Sequence, residues 1–183
     1  MILKPNMNWT ANQNIEQPTV LAEYQINDHY FVVNFTVEEP LNCFRAEVEE
    51  NNGKSWEDSC VEIFLENPAD PSEYFNFEIT SRGFLLAARG KSREGRQILD
   101  ESLLKTVLCQ KVVSSLVGNL ICWGMQVHIP ATLFGIKKFE KPLKGNLYKC
   151  GDKAKTPHYQ SLFAIHTHKP DFHRPEFFGI FEL

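Results

Sequence analysis

The stretch Trp56–Arg89, WEDSCVEIFLENPADPSEYFNFEITSRGFLLAAR, decides the fold. It reads as three strands joined by two turns. From Cys60 to Glu66, Val61, Ile63 and Leu65 alternate with Cys60, Glu62, Phe64 and Glu66, the period of two expected of a strand with two different faces. From Tyr74 to Thr80 the alternation repeats, with Phe75, Phe77 and Ile79 against Tyr74, Asn76, Glu78 and Thr80. Asn67-Pro68-Ala69-Asp70-Pro71-Ser72 reads as a turn, because its two prolines fix φ and each removes a backbone donor. Ser81-Arg82-Gly83 makes a second, tighter turn into Phe84–Arg89. The polar faces combine Glu62, Asn76 and Glu78, with Trp56 at the rim and Arg89 nearby. Such a face describes a polar ligand surface laid over an apolar sheet.

Upstream, residues 1–20 read as an extended arm. Ala22–Ile26 and His29–Val37 form a hairpin around Asn27-Asp28, a favourable turn pair. Leu41–Glu47 reads as another strand, and the polar run Glu49–Lys54 delivers the chain to Trp56. Downstream, Gly90–Arg96 is a charged, glycine-bearing loop from which Arg93 can reach over the sheet. Residues 98–117 are ambiguous, although Leu103–Cys109 and Val112-Val113 have strand-like composition. Leu120–Ile129 alternates clearly, with Trp123 in the middle of the apolar face. Pro130 ends it and opens a short helix, Ala131–Gly135. The chain closes on an apolar strand, Phe177–Leu183, pinned into the sheet. Many short strands, regular turns and at most one or two short helices predict an all-β antiparallel β-sandwich of jelly-roll type in a single domain, residues 1–183.

The bulk numbers agree. A chain of 183 residues buries roughly 70% of its extended surface. With 43% hydrophobic and 23% charged residues it has the balance of a folded soluble protein, and fourteen phenylalanines favour a sheet-rich core. A formal net charge of −4 gives no support for non-specific nucleic-acid binding. Five cysteines, with no CxxC pair, read as reduced and mostly buried thiols. MILKPNMNWT lacks the apolar core of a secretory signal, and no run approaches about 18 apolar residues, so the chain reads as soluble with its compartment left open.

Nothing matches a phosphate-binding loop, a dinucleotide fingerprint, HExxH, an EF-hand loop or GxSxG. Glu62 and Glu78 are the first enzyme candidates, since glycoside hydrolysis uses two carboxyl groups. A guanidinium beside them is expected to hold both ionised, which suits acceptors of sugar hydroxyls better than a general acid. His158, His166, His168, Asp171 and His173 are candidate ligands for a transition metal, in an order that is no zinc signature. Glu57 and Asp58 offer hard oxygens for calcium. Trp56 follows a polar loop instead of an apolar alternation. As an accessible flat aromatic it complements the C–H face of a pyranose.

The sequence resembles the family-9-like carbohydrate-binding modules, also described as DOMON-like β-sandwiches, and among them the free-standing bacterial type. The matching blocks are Trp56–Phe64, Tyr74–Glu78 with the Gly83 turn, Trp123, Ile129-Pro130, Asn146–Asp152 and Pro170–Glu176, in order along nearly the whole chain. The resemblance implies a two-sheet sandwich that binds plant-type glycans such as xylan or cellulose without turning them over. It also implies structural calcium in some members and action beside glycoside hydrolases. It makes Trp56 a stacking aromatic, Glu62 a hydroxyl acceptor and Arg89 a donor. The family's second aromatic, a tryptophan after a serine, falls at Ser161-Leu162, where this chain has leucine, and Phe163 or Phe172 is the substitute.

Three functional classes follow: a binding module for oligo- or polysaccharide, a glycan-active hydrolase using Glu62 and Glu78, and a structural or protein-interaction sandwich whose sugar site has decayed at Leu162.

Overall fold

The structure is a computed structural model that describes residues 1–183 apart from Val113. In chain order the strands are β1 (Lys4–Pro5), β2 (Thr19–Ile26), β3 (Tyr30–Pro40), β4 (Cys60–Asn67), β5 (Asp70–Thr80), β6 (Leu85–Gly90), β7 (Gln97–Ile98), β8 (Leu108–Val117), β9 (Leu120–Pro130), β10 (Leu143–Cys150), β11 (Tyr159–Ser161) and β12 (Gly179–Phe181). Among the described residues the single α-helix, α1, spans only Glu101–Leu104, between β7 and β8. β2-β3-β9-β8 form one antiparallel sheet, and β1-β11-β10-β4-β5-β6-β7 form the other, with β12 as an eighth strand beside β10.

The core lies between the sheets because each central strand gives one alternate set of side chains to it. Phe31, Val33, Phe35 and Val37 of β3 meet Val61, Ile63 and Leu65 of β4 and Phe75, Phe77 and Ile79 of β5 in one buried cluster. The alternation in Trp56–Arg89 therefore assigns the faces correctly. The Ser81–Gly83 turn closes with Gly83 at φ 94°, a left-handed conformation that glycine adopts without strain. The closing strand is also present in shortened form, pairing Leu143 with Phe181 and Gly145 with Gly179.

Three expectations differ from the structure. The run Leu41–Glu47 is not a strand; Asp58 holds it as a loop, its carboxylate accepting from the backbone N–H groups of Glu47 and Val48, both at 2.7 Å, and from the Arg45 guanidinium. The turn after β4 is tighter than the two prolines suggest. Asn67 pairs with Asp70, and Pro71 and Ser72 already belong to the exposed start of β5. In the ambiguous region, the Asp100 side chain accepts from Ser102 and Leu103 N–H and so caps α1 before the chain turns into β8.

Among the described residues, no helix is long and apolar enough to cross a membrane.

Candidate functional site

The outward face of the large sheet carries polar residues in rows. Tyr148, Glu62, Glu78 and Leu86 lie side by side across β10, β4, β5 and β6, and Cys150, Cys60 and Thr80 form the next row. Two chain ends cover much of this face. Trp9, Ile165, Phe172 and Phe178 pack onto Cys60, Phe64, Tyr74, Tyr148 and Cys150 as a second buried cluster. Hydrogen bonds fix the cover: Trp9 Nε1 donates to the Thr167 carbonyl at 2.9 Å, and the Asn12 amide donates to the Tyr159 carbonyl at 2.7 Å. Phe172 lies flat on Tyr148 with ring centroids 4.2 Å apart.

The cover stops short of Glu62 and Glu78, leaving a cavity of about 230 Å³ floored by these two carboxyls and Cys150. Trp56, Asp152 and Tyr159 line it, as do the guanidinium groups of Arg93 and Arg96 and the segment Pro170–His173. Trp56 gets there on a single 3-10 turn, Ser55–Glu57, and is half-buried.

The floor is electrostatically tense. Glu62 accepts a hydrogen bond from the Cys150 thiol at 2.9 Å. One oxygen of Glu78 accepts from Asn76 Nδ2 at 3.0 Å and lies 3.7 Å from Arg96, while its other oxygen is buried without a partner. Burial raises both carboxyls. Glu78 is pushed up to about 7 despite Arg96, and Glu62 well above its ordinary value, with the neighbouring Glu78 charge as second cause. The expectation that a guanidinium would hold both ionised is therefore corrected: desolvation outweighs it. His173 is held neutral, its pKa lowered to about 3 by burial and then by Arg96 and Arg93, and its ring bonds the Tyr74 hydroxyl at 2.8 Å.

Of the residues picked from sequence, Trp56, Glu62, Glu78, Arg93 and Phe172 come together at this cavity. Asn76 sits beside it, joining Glu78 to Arg96, which donates to the Asn76 amide oxygen at 2.9 Å. Arg89 is elsewhere. Its register partner is the core residue Phe75, so it leaves the sheet on the opposite face, where it is exposed and bonds Gln97. Arg96 stands at the cavity beside Glu78 instead. Phe163 packs against Gly179 and Phe181, and Leu162 packs on the main core, so neither lines the cavity.

Asp152 and Tyr159 join the cavity from outside the residues expected there: Tyr148, Cys150 and Asp152 continue one alternation, and Tyr159 is the register partner of Cys150.

The metal candidates separate in part: Asp171 and His173 both line the cavity, the His173 backbone N–H donating to Asp171 at 3.1 Å, and the others lie elsewhere. Both oxygens of Asp58 are taken by Arg45 and backbone N–H groups, which leaves it unsuited to calcium. His158 is buried against Lys149 and Glu39 on the core side, and His166 packs edge-on to Phe177. Among the described residues, one group of three converging ligand types stands out: Cys60, Glu62 and Cys150, with ligand atoms within 4.8 Å of one another.

The model of carbohydrate-binding family 9 matches residues 4–183. The chain belongs to that family. A candidate carbohydrate-binding protein from Bacteroides uniformis shares 30% identity and superposes with a TM-score of 0.85, over 97% of this chain and 83% of that one. A family 9 module from Caldicellulosiruptor kristjanssonii, solved with cellotriose, shares the fold at 11% identity and a TM-score of 0.62, over 99% of this chain and 80% of that one. Among curated proteins none matches this chain. The two-sheet sandwich is thus that of a family 9 carbohydrate-binding module.

Proposed function

We propose that the cavity holds a short stretch of plant-type glycan, such as a xylan or cellulose fragment, and releases it unchanged. The observation that carries this reading is the free oxygen of Glu78, buried at the floor of a cavity that also offers aromatic rings and two guanidinium groups. An unpaired buried oxygen is costly, about 1–3 kcal/mol, and a sugar hydroxyl donating to it removes that cost. Trp56 and Tyr159 supply aromatic faces for pyranose C–H groups, while Arg96 and Arg93 donate to ring substituents. A cavity of about 230 Å³ falls below the usual range for drug-sized ligands, roughly 300–1,000 Å³. It suits one or two sugar rings. The surroundings in which such a module works are those of glycan breakdown, beside glycoside hydrolases.

The hydrolase reading gains something from the raised carboxyls, because a general acid must hold its proton near neutrality. Geometry weighs against it. Glu62 and Glu78 are direct cross-strand partners rising from one floor, so both approach a ligand from the same side. Glycosidase carboxyls flank the scissile bond instead.

The test is a titration with xylo- and cello-oligosaccharides, followed by tryptophan fluorescence and calorimetry. Trp9 and Trp123 are fully buried, which leaves Trp56 as the responsive fluorophore. Saturable binding that weakens about tenfold or more in Trp56→Ala, with no sugar released on long incubation, is the expected result. Absence of heat and of fluorescence change across the series would remove the reading, and release of shorter products would favour the hydrolase.

A further inference from the structure

We infer that Cys60, Glu62 and Cys150 form a binding site for a thiophilic divalent metal ion, zinc being the type case. The argument begins with strand geometry. Cys60 and Cys150 are direct register partners on β4 and β10, and Glu62 follows Cys60 by two residues, so all three side chains leave the same face of the sheet. A thiol, a carboxylate and a second thiol therefore converge from two rigid, hydrogen-bonded strands. Their ligand atoms all lie within 4.8 Å of one another. Tetrahedral zinc, with Zn–S near 2.3 Å and Zn–O about 2.0–2.2 Å, needs ligand atoms separated by about 3.5–3.8 Å. The Cys150 to Glu62 contact of 2.9 Å has to open by roughly 0.6–0.9 Å as the thiol proton leaves and the metal takes its place.

The ligand chemistry selects the ion. Two sulfurs and one oxygen favour zinc or a softer metal, whereas calcium takes six to eight oxygens. All five cysteines are free, so both sulfurs are available. Charge also permits it. A dication with two thiolates and one carboxylate sums to a single negative charge, the charge Glu62 alone carries when ionised, and Arg93 and Arg96 stand at the same cavity. Glu62 and Cys150 line the cavity, while Cys60 is fully buried beside them. The fourth coordination position consequently faces the cavity, where water or an oxygen of a bound molecule completes the tetrahedron. Three protein ligands with one open position is the arrangement of exchangeable and catalytic zinc sites, not of closed structural ones.

This inference does not rest on the sugar reading and is measured without sugar. The full chain, kept reduced and stripped of metal with a chelator, is titrated with Co²⁺ and then Zn²⁺. Thiolate-to-cobalt charge-transfer absorption that saturates at one ion per chain, and is lost on adding zinc, is the expected outcome. X-ray absorption at the zinc edge should then count two sulfur neighbours at about 2.3 Å. Cys60→Ser and Cys150→Ser should each abolish the saturable band, and Glu62→Gln should weaken binding while keeping it. A folded wild-type chain with no charge-transfer band overturns the proposal, as does a zinc shell of oxygen and nitrogen only. If the single cysteine variants fail to fold, a chain with Cys43, Cys109 and Cys122 changed to serine decides: one ion per chain sustains the site, and none removes it.

Discussion

Glu62 and Glu78 stand directly opposite each other on β4 and β5, both shut away from bulk water at the floor of the same cavity. Two like charges at cross-strand distance, with burial acting on each, cannot both ionise cheaply. The fold tolerates them because Arg96, Asn76 and Cys150 supply partial compensation. On the proposed reading, the remaining strain is what a ligand with several hydroxyl donors relieves.

Removing that strain should trade binding for stability. A carboxyl whose pKa is raised in the folded state binds its proton more tightly there than in the unfolded chain. Its favourable contribution is full below the unfolded value near 4.5 and disappears as pH rises to about 7 for Glu78. Stability is therefore expected to fall across that window. Glu78→Gln should flatten the fall and raise the melting temperature at pH 8, while weakening sugar binding. Thermal unfolding of both proteins from pH 4 to pH 8 checks the first part; an unchanged pH profile in the variant would show that the Glu78 charge is compensated in some other way.

Arg96 and Arg89 should behave differently despite similar positions in the sequence. Arg96 donates to Asn76 and sits 3.7 Å from Glu78, whereas Arg89 is exposed beyond the opposite face. Arg96→Met should cost about tenfold or more in sugar affinity and move the Glu78 transition to higher pH, because a cation that favours ionisation is gone. Arg89→Met should leave both unchanged. Calorimetry on the pair of variants distinguishes the two positions.

The sheet was legible in the sequence because alternation with period two is a local signal that burial on one face writes directly. Val61, Ile63, Leu65, Phe75, Phe77 and Ile79 all reach the core this way. The same signal placed Glu62 and Glu78 on one face. It could not say which loop residues fold back over that face. Arg89 lies in the strand itself, so its direction follows from parity with Phe75; Arg96 sits beyond Gly95 in a loop whose path is set by tertiary contacts. Tyr159 comes to the cavity through pairing of β11 with β10, a contact between distant segments. Leu41–Glu47 misled for the same reason, since Asp58, remote in its own segment, captures that backbone.

Leu162 occupies the position where the family pattern places a second tryptophan, yet its side chain packs on the main core. Restoring the residue should not restore an aromatic clamp. Leu162→Trp is expected to destabilise the fold by about 1–3 kcal/mol through overpacking and to leave sugar affinity no better than the parent. Tyr159→Ala should weaken binding, because Tyr159 is at the cavity in this chain. Denaturant unfolding and calorimetry on both variants test the assignment; tighter binding by Leu162→Trp would show that the segment can turn outward.

Directly behind the cavity floor, Lys149 points into the core between Tyr148 and Cys150, whose side chains point out. Its ammonium group donates to Glu39 at 2.8 Å and lies 2.7 Å from His158, all three fully buried. Glu39 also accepts from Ser59 at 3.0 Å and from the Trp123 indole at 3.0 Å. Burial alone would raise the Glu39 pKa, but Lys149 and His158 bring it down to about 2. A carboxyl lowered in the folded state stabilises above the unfolded value and loses that contribution as pH falls from about 4.5 towards 2. Lys149→Met strands the Glu39 charge in the core and should cost about 3–5 kcal/mol. Adding Glu39→Gln to Lys149→Met should recover much of the loss, since the double variant buries no unpaired charge. Urea unfolding of the two single variants and the double variant measures this coupling, and simple additivity would mean that the pair does not act as a unit.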